Sequence, residues 1–201
     1  FYSRKLGKSF SMSLAAKYIH SNLTGSVSAT DGEETHPGNA YGFDLGMFYT
    51  KPIKIADYDV HMRYGLNLSN LGSKVAYSEN AKNFLPMNMR LGSSFEIQID
   101  EYNSLGLALD FNKLLVPTTN YELDDEERLV AVYDNDMSVP VAIFESFGDA
   151  PGVDGLSPFE EEIREINTSI GVEYWYDKML AFRAGYFHEP QVKGNRKYFT
   201  V

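Results

Sequence analysis

The chain has 201 residues, no cysteine and a net charge of -10 from 18 basic and 28 acidic side chains. Without cysteine it can form no disulfide, thiolate nucleophile or cysteine-ligated zinc site. The acidic balance would repel phosphate backbones, which argues against nucleic-acid binding. No apolar run reaches the roughly 18 residues of a membrane-spanning helix, but strands that cross a membrane escape this test because their side chains alternate.

Seven segments alternate with a period of two between a large apolar set and a small, polar or charged set. In chain order their apolar sets cover 10–18, 41–49, 58–68, 87–99, 105–111, 166–176 and 180–186. The third is the most regular, with apolar residues at every even position from Tyr58 to Leu68. Residues 198–201 have the character of a further strand that is just beginning. We therefore predict seven to eight strands.

The connections between these strands distinguish two fold classes, because a soluble sandwich or lipocalin-like barrel also alternates. Short connections lie at 51–57, 100–103 and 177–178, and long ones at 21–40, 70–86, 115–165 and 189–196. Short and long connections strictly alternate along the chain, as periplasmic turns and extracellular loops do in outer-membrane barrels. We predict an all-β, antiparallel transmembrane β-barrel of the bacterial outer membrane. It would be one domain over 1–201, truncated at both ends.

The sets opposite the apolar ones would line the lumen of such a barrel. Asp44 belongs to these sets, and eight further charged or imidazole side chains form a candidate lumen network: Asp59, His61, Arg63, Arg90, Glu96, Asp110, Glu173 and Arg183. One interpretation is a paired network that fills the inside, and the other is a polar conduit. Because both signs of charge are present, a strongly ion-selective pore is not favoured.

The connection over 115–165 is far longer than usual, and such loops are commonly functional or disordered. Its acidic run lacks the alternating ligands and glycine of a calcium loop, so a solvated stretch is favoured over a cation site. The run comprises Glu122, Asp124, Asp125, Glu126 and Glu127.

The same connection also predicts one short helix, from Ser157 to about Ile166. Ser157 is a capping residue, proline follows at the first helical position, and Glu160 completes a capping box. Phe159, Ile163 and Ile166 would share one side of this helix. They either pin the loop over the barrel mouth or form the candidate contact surface for a partner protein.

For catalysis the sequence offers little. The four histidines are scattered, without metal-ligand spacing. His61 lies near Asp59 and Arg63, but no serine sits on a recognisable nucleophile motif. We expect no catalytic, cofactor-binding or metal-binding residue, and a lipase-like hydrolase is not favoured.

Six stretches resemble the PorV family, also called LptO, of the type IX secretion system. They are YSRKLG at 2–7, KYIHSNL at 17–23, HPGNA at 36–40, LNLSNLG at 66–72, ALDFNKLLVPT at 108–118 and RAGYFHEP at 183–190. None of them is a catalytic signature. The resemblance therefore carries family character and assigns no residue a role in a reaction.

This resemblance implies a fourteen-stranded barrel of the FadL type, of which the chain would be the middle half. It also implies a non-enzymatic role in protein export. The partners would be outer-membrane lipid, a large translocon barrel, a sortase-like surface peptidase and the C-terminal signal domains of secreted proteins, with no cofactor. The alternative function is a FadL-like channel for uptake of hydrophobic small molecules, which the polar inner set disfavours.

Overall fold

The computed structural model describes residues 1–22, 36–78, 82–117, 120–123, 129–132, 137–149, 157–191 and 194–201. In chain order the elements are β1 (Tyr2–Lys5), β2 (Phe10–Ser21), β3 (Gly38–Ile55), β4 (Tyr58–Gly72), β5 (Val75–Ala76), β6 (Lys82–Asn83), β7 (Asn88–Gln98), β8 (Asn103–Leu114), β9 (Asn120–Leu123), β10 (Leu129–Val132), α1 (Val139–Glu145), α2 (Pro158–Ile163), β11 (Asn167–Tyr176), β12 (Leu180–His188) and β13 (Lys197–Thr200). Strands β1, β2, β3, β4, β7, β8, β11, β12 and β13 form one antiparallel sheet in that order. The predicted all-β, antiparallel fold class is confirmed.

The large sheet contains each of the seven predicted strands and two more. One is β13, which covers the strand that the alternation predicted near 198–201. The other is β1, whose four residues are too few to show a period of two, so the sequence analysis missed it. The connection over 115–165, for which the sequence predicts a single short helix, also contains β9, β10 and the helix α1.

The strand register separates the two alternating sets onto opposite faces of the sheet. For example, Leu66 lies beside Met47 and Leu91, while Asn67 lies beside Gly46 and Arg90. We call the first the apolar face and the second the polar face. Exposed members of the apolar face include Leu14, Tyr18, Tyr41, Phe43, Tyr64, Leu91, Leu107, Phe111, Ile170, Val172, Leu180 and Phe182. A soluble monomer rarely exposes so large an apolar surface.

The connection between β3 and β4 is shorter than the predicted 51–57, because β3 continues through Pro52 to Ile55. Thr50 donates its N–H to Ser9, on the side of β2. The nitrogen of Pro52, two residues later, points to that same side, where β2 no longer pairs. The missing donor of proline therefore costs no ladder hydrogen bond.

A β-bulge interrupts the pairing of β3 and β4 near Phe43 and Leu45. Ser69 and Asn70 of β4 lie opposite the single residue Asp44 there. Asn70 has a φ of 59°, in the left-handed region that asparagine tolerates better than most residues. The bulge turns the Asn70 backbone N–H toward the Asp44 carboxylate, which accepts it at 2.9 Å.

The predicted helix is present as α2, with both halves of its capping box. The hydroxyl of Ser157 accepts the Glu160 N–H, and the Glu160 carboxylate accepts the Ser157 N–H. The helix ends at Ile163, so Ile166 lies beyond it. The other helix, α1, was not predicted. Neither described helix has the length and apolar character needed to cross a bilayer.

Ser157→Ala should destabilise α2 by about 1 kcal/mol, because an N3 amide loses its cap. Faster hydrogen exchange of the amides at 160–163 would report the loss. Ser138→Ala is the matched control, because Ser138 caps α1 without a side-chain hydrogen bond. Equal acceleration in both variants would contradict the capping explanation.

Candidate functional site

Two ion pairs within the candidate lumen network join neighbouring strands of the polar face. Arg63 of β4 donates to Glu96 of β7 at 2.5 Å. Arg183 of β12 donates to Glu173 of β11, its direct cross-strand neighbour. Since these four side chains are 37–60% exposed, the pairs order the polar face more than they stabilise it.

Trp175 contacts both residues of the second pair, although the candidate network did not include it. Its indole N–H donates to the Glu173 carboxylate. The Arg183 guanidinium lies 5.2 Å from the centre of the indole ring, within range of a cation–π contact. The sequence does place Trp175 on the same set as Glu173 and Arg183, but alternation alone does not show which neighbours bond.

The other four members of the candidate network are more separate. Asp59 lies 3.7 Å from Lys54 in an exposed pair beside the β3–β4 turn. Across the described part of the chain, His61, Arg90 and Asp110 have no hydrogen-bond or ion-pair partner. The structure therefore brings together four of the eight predicted residues, and a continuous lumen network stays a prediction.

Arg90 and Asp110 line a groove of about 370 Å³ on the polar face. Small residues leave this space free, namely Ser3, Ser11, Ser13, Gly46, Gly65 and Gly92. A Cβ added at Gly92 would collide with the Asp110 carboxylate, so glycine is what allows the Asp110 side chain to lie over β7. A second groove, of about 430 Å³, runs beside both ion pairs of the candidate network.

A further charged cluster lies on the polar face outside the eight residues of the candidate lumen network. Lys17 lies 2.7 Å from Asp44 and donates to the Asn70 side chain at 2.7 Å. The alternation in the sequence places Lys17 and Asp44 on the same face, but the bulge that turns Asn70 toward them depends on the β3–β4 pairing.

The β5–β6 hairpin packs over the same end of the polar face. Val75 and Leu85 form a small buried core with Ala40 of β3. A Cβ at Gly38 would lie 2.6 Å from a Val75 methyl group, so glycine permits this close approach. The described polar face is thus partly covered at this end by the chain itself.

Lys113 is a deeply buried charged residue that was not predicted from the sequence. It occupies the apolar face of β8, opposite Met89, yet its side chain is only 5% exposed. Its ammonium group binds Glu162 at 2.9 Å and Glu165 at 2.7 Å, and these two side chains are only 11% and 8% exposed. The sequence does contain a sign of this contact, because Lys113 continues the apolar set of β8 two residues beyond Phe111, where an apolar residue would be expected. The structure shows that this pair of contacts holds α2 against the sheet.

The predicted contact residues lie on and beyond α2. Phe159 is 72% exposed and Ile163 is 51% exposed, whereas Ile166 is half-buried beyond the helix. A role of these three residues in binding a partner stays a prediction. Of the predicted acidic run, Asp124, Asp125, Glu126 and Glu127 lie outside the described residues.

The connection between β12 and β13 is closed by a bidentate ion pair. The guanidinium of Arg196 donates to both oxygens of Glu189, at 2.7 and 2.6 Å. Glu189 also donates its backbone N–H to the Arg196 carbonyl at 2.8 Å. The hydrogen bonds from Arg196 lower the pKa of the Glu189 carboxyl below its usual value of 4.5. Gly194, with a φ of 131°, lies against this carboxylate, where a side chain would collide.

This connection should open on acidification. A carboxyl whose pKa is lowered by folding adds stability above its unfolded pKa, and that stability is lost as the pH falls through the folded pKa. Exchange protection of the Glu189 amide should therefore hold down to about pH 4.5 and decline below it. Glu189→Gln should be less protected throughout and lose this pH dependence. An unchanged acid profile in that variant would contradict the assignment.

The described residues contain no group of three or more His, Asp or Glu that could hold a metal ion. The described residues instead offer a polar face with two grooves, and a helix, α2, that Lys113 anchors to the sheet.

Comparison with known proteins identifies the chain's relatives. The family model of PorV, a type IX secretion system protein, matches residues 1–121, which is more than half of the 201 residues. Five of the six stretches that resemble the family lie in the matched part, which covers β1 to β8. None of the curated proteins compared with the chain matches it. The chain therefore belongs to the PorV family of type IX secretion system proteins.

Proposed function

We propose that this protein is a non-enzymatic barrel of the bacterial outer membrane that serves as an adaptor in type IX protein secretion. It would bind a large translocon barrel and the C-terminal signal domains of secreted cargo, and pass the cargo to a sortase-like surface peptidase. The match to the PorV family over 1–121 carries this proposal.

The exposed apolar face supports a location in the membrane. Leu107, Val172 and Phe182 are 41%, 42% and 62% exposed on three neighbouring strands. Water would penalise this surface, whereas the hydrocarbon core of a bilayer would not. The paired backbone of the sheet satisfies its own polar groups, as a membrane span requires. Further strands beyond β1 and β13 would close the barrel.

The polar face supports an adaptor over an uptake channel for hydrophobic molecules. Such a channel needs an apolar pocket with few polar groups. The described polar face instead carries several cross-strand ion pairs, the free side chains of Arg90 and Asp110 and many serines and glycines. These groups would compete poorly with lipid tails for an apolar ligand.

Affinity purification tests the proposal. The complete protein, tagged and extracted from outer membranes in mild detergent, should recover a very large barrel and cargo with C-terminal signal domains. An unrelated outer-membrane barrel with the same tag, purified in parallel, controls for nonspecific recovery. Enrichment of neither partner over this control would overturn the adaptor function. Co-purification of a stoichiometric fatty acid or other apolar molecule instead would favour the channel.

A further inference from the structure

The orientation of α2 is the reverse of an ordinary amphipathic helix on a protein surface. Its acidic side faces the sheet, because Glu161 and Glu162 are each 9% exposed and Glu162 binds Lys113. Its apolar side faces outward, with Phe159 and Ile163 four residues apart and exposed. The buried charges therefore hold an apolar surface away from the protein.

The position of α2 is set by the apolar face of the sheet. Lys113, to which the helix is anchored, lies two residues or about 7 Å along β8 from the exposed Phe111 of that face. The helix ends at Ile163, and β11 begins only four residues later. Within β11, Ile170 is exposed on the same apolar face. The helix thus borders the apolar face directly.

The helix α1 lies on the same side of the sheet. Its Ala142 is fully buried against Met87 and Leu115, with the apolar-face residues Leu68 and Met89 packed around them. Phe144, two residues after Ala142, points away from this core and is 79% exposed. Val141 and Phe147 are exposed as well, at 45% and 49%.

We propose that the two helices form an interfacial membrane anchor, in which Val141, Phe144, Phe147, Phe159 and Ile163 insert into the outer leaflet beside the barrel. This inference rests on the proposed function, because it requires the apolar face to contact lipid. Its support is the attachment of both helices to the apolar face, α1 through Ala142 and α2 through Lys113, with the five side chains left exposed. Aromatic and aliphatic side chains on short amphipathic helices bury at the level of the headgroups and upper acyl chains.

The anchor would also accommodate Lys113 on a face that otherwise meets lipid. Lysine at that position is costly in a bilayer unless it is paired. Glu162 and Glu165 supply the counter-charges, and α2 covers the pair from the outside. The helix therefore both shields the charge and continues the apolar surface.

Single-cysteine fluorescence tests the anchor, since the chain contains no cysteine of its own. Phe144→Cys and Phe159→Cys variants of the complete protein would carry an environment-sensitive dye in phospholipid vesicles. Lipids brominated near the headgroup should lower the fluorescence at both sites. Val172→Cys, in the middle of β11 on the apolar face, is the control for insertion of the barrel. His36→Cys, exposed before β3, is the control for a site in water.

The outcomes separate this inference from the proposed function. We expect quenching at Phe144 and Phe159 by headgroup-region bromines and at Val172 by mid-chain bromines. We expect no quenching at His36. Quenching at Val172 without quenching at Phe144 and Phe159 would overturn the anchor alone, and would leave this surface for a protein partner. Absence of quenching at Val172 would overturn the membrane location and the anchor together.

Discussion

Lys113→Ala should release α2 from the sheet. The substitution removes the ammonium group shared by Glu162 and Glu165, whose side chains are 11% and 8% exposed. Removing one partner of a buried ion pair typically costs about 3 to 5 kcal/mol, because the remaining charges keep their desolvation penalty. The two neighbouring carboxylates would also repel each other. Hydrogen exchange of the amides over 157–166 should accelerate strongly, while exchange in β2 and β3 stays unchanged.

Two controls separate loss of the buried pair from a general loss of charge. Lys54→Ala breaks the exposed pair with Asp59 and should have almost no effect, because both side chains are more than two-thirds exposed. Combining Lys113→Met with Glu162→Gln and Glu165→Gln removes every charge of the cluster and should restore much of the protection. Protection of α2 that survives Lys113→Ala would show that α2 is held by other contacts.

Leu107→Arg should prevent stable insertion into the outer membrane. Leu107 lies near the middle of β8 on the apolar face. An arginine that faces lipid at the bilayer midplane costs about 2 to 4 kcal/mol in a membrane barrel. The amount of protein in the outer-membrane fraction should fall, together with the heat-modifiable gel band that marks a folded barrel.

Ala108→Arg is the matched control, one residue away on the polar face. Ala108 lines the groove of about 430 Å³, where an added side chain has space and polar neighbours. We expect this variant to fold and insert like the unchanged protein. Equal loss of both variants would contradict the assignment of the two faces, and loss of Ala108→Arg alone would reverse it.

The strands were predictable because their signal is local. In β4, a single alternation from Tyr58 onward shows both the strand and the face of each side chain, since successive residues of a strand point to opposite sides. The helix α2 was predictable for a similar reason: Ser157 and Glu160 cap it within four residues. The helix α1 was not, because Ser138 makes no cap hydrogen bond and its Ala142 is buried by distant residues.

The alternation also determined which charged residues share the polar face, but not which of them pair. Glu173 and Arg183 bond because the β11–β12 register places them directly opposite each other. Arg90 and Asp110 lie on the same face without bonding, because neighbouring strands place Asn112 and Gly92 opposite them. Pairing depends on the register between strands, and the register is a property of the assembled sheet.

The sequence by itself therefore determined the all-β class, the two faces, the capped helix and the resemblance to the PorV family. Only the tertiary structure decided how α2 is held against the sheet and which of its side chains face outward. Lys113 meets Glu162 and Glu165 across 49 and 52 residues of chain, and the result turns Phe159 outward. Local periodicity carries no information about contacts at that separation, because they form only when the sheet and the loop come together in space.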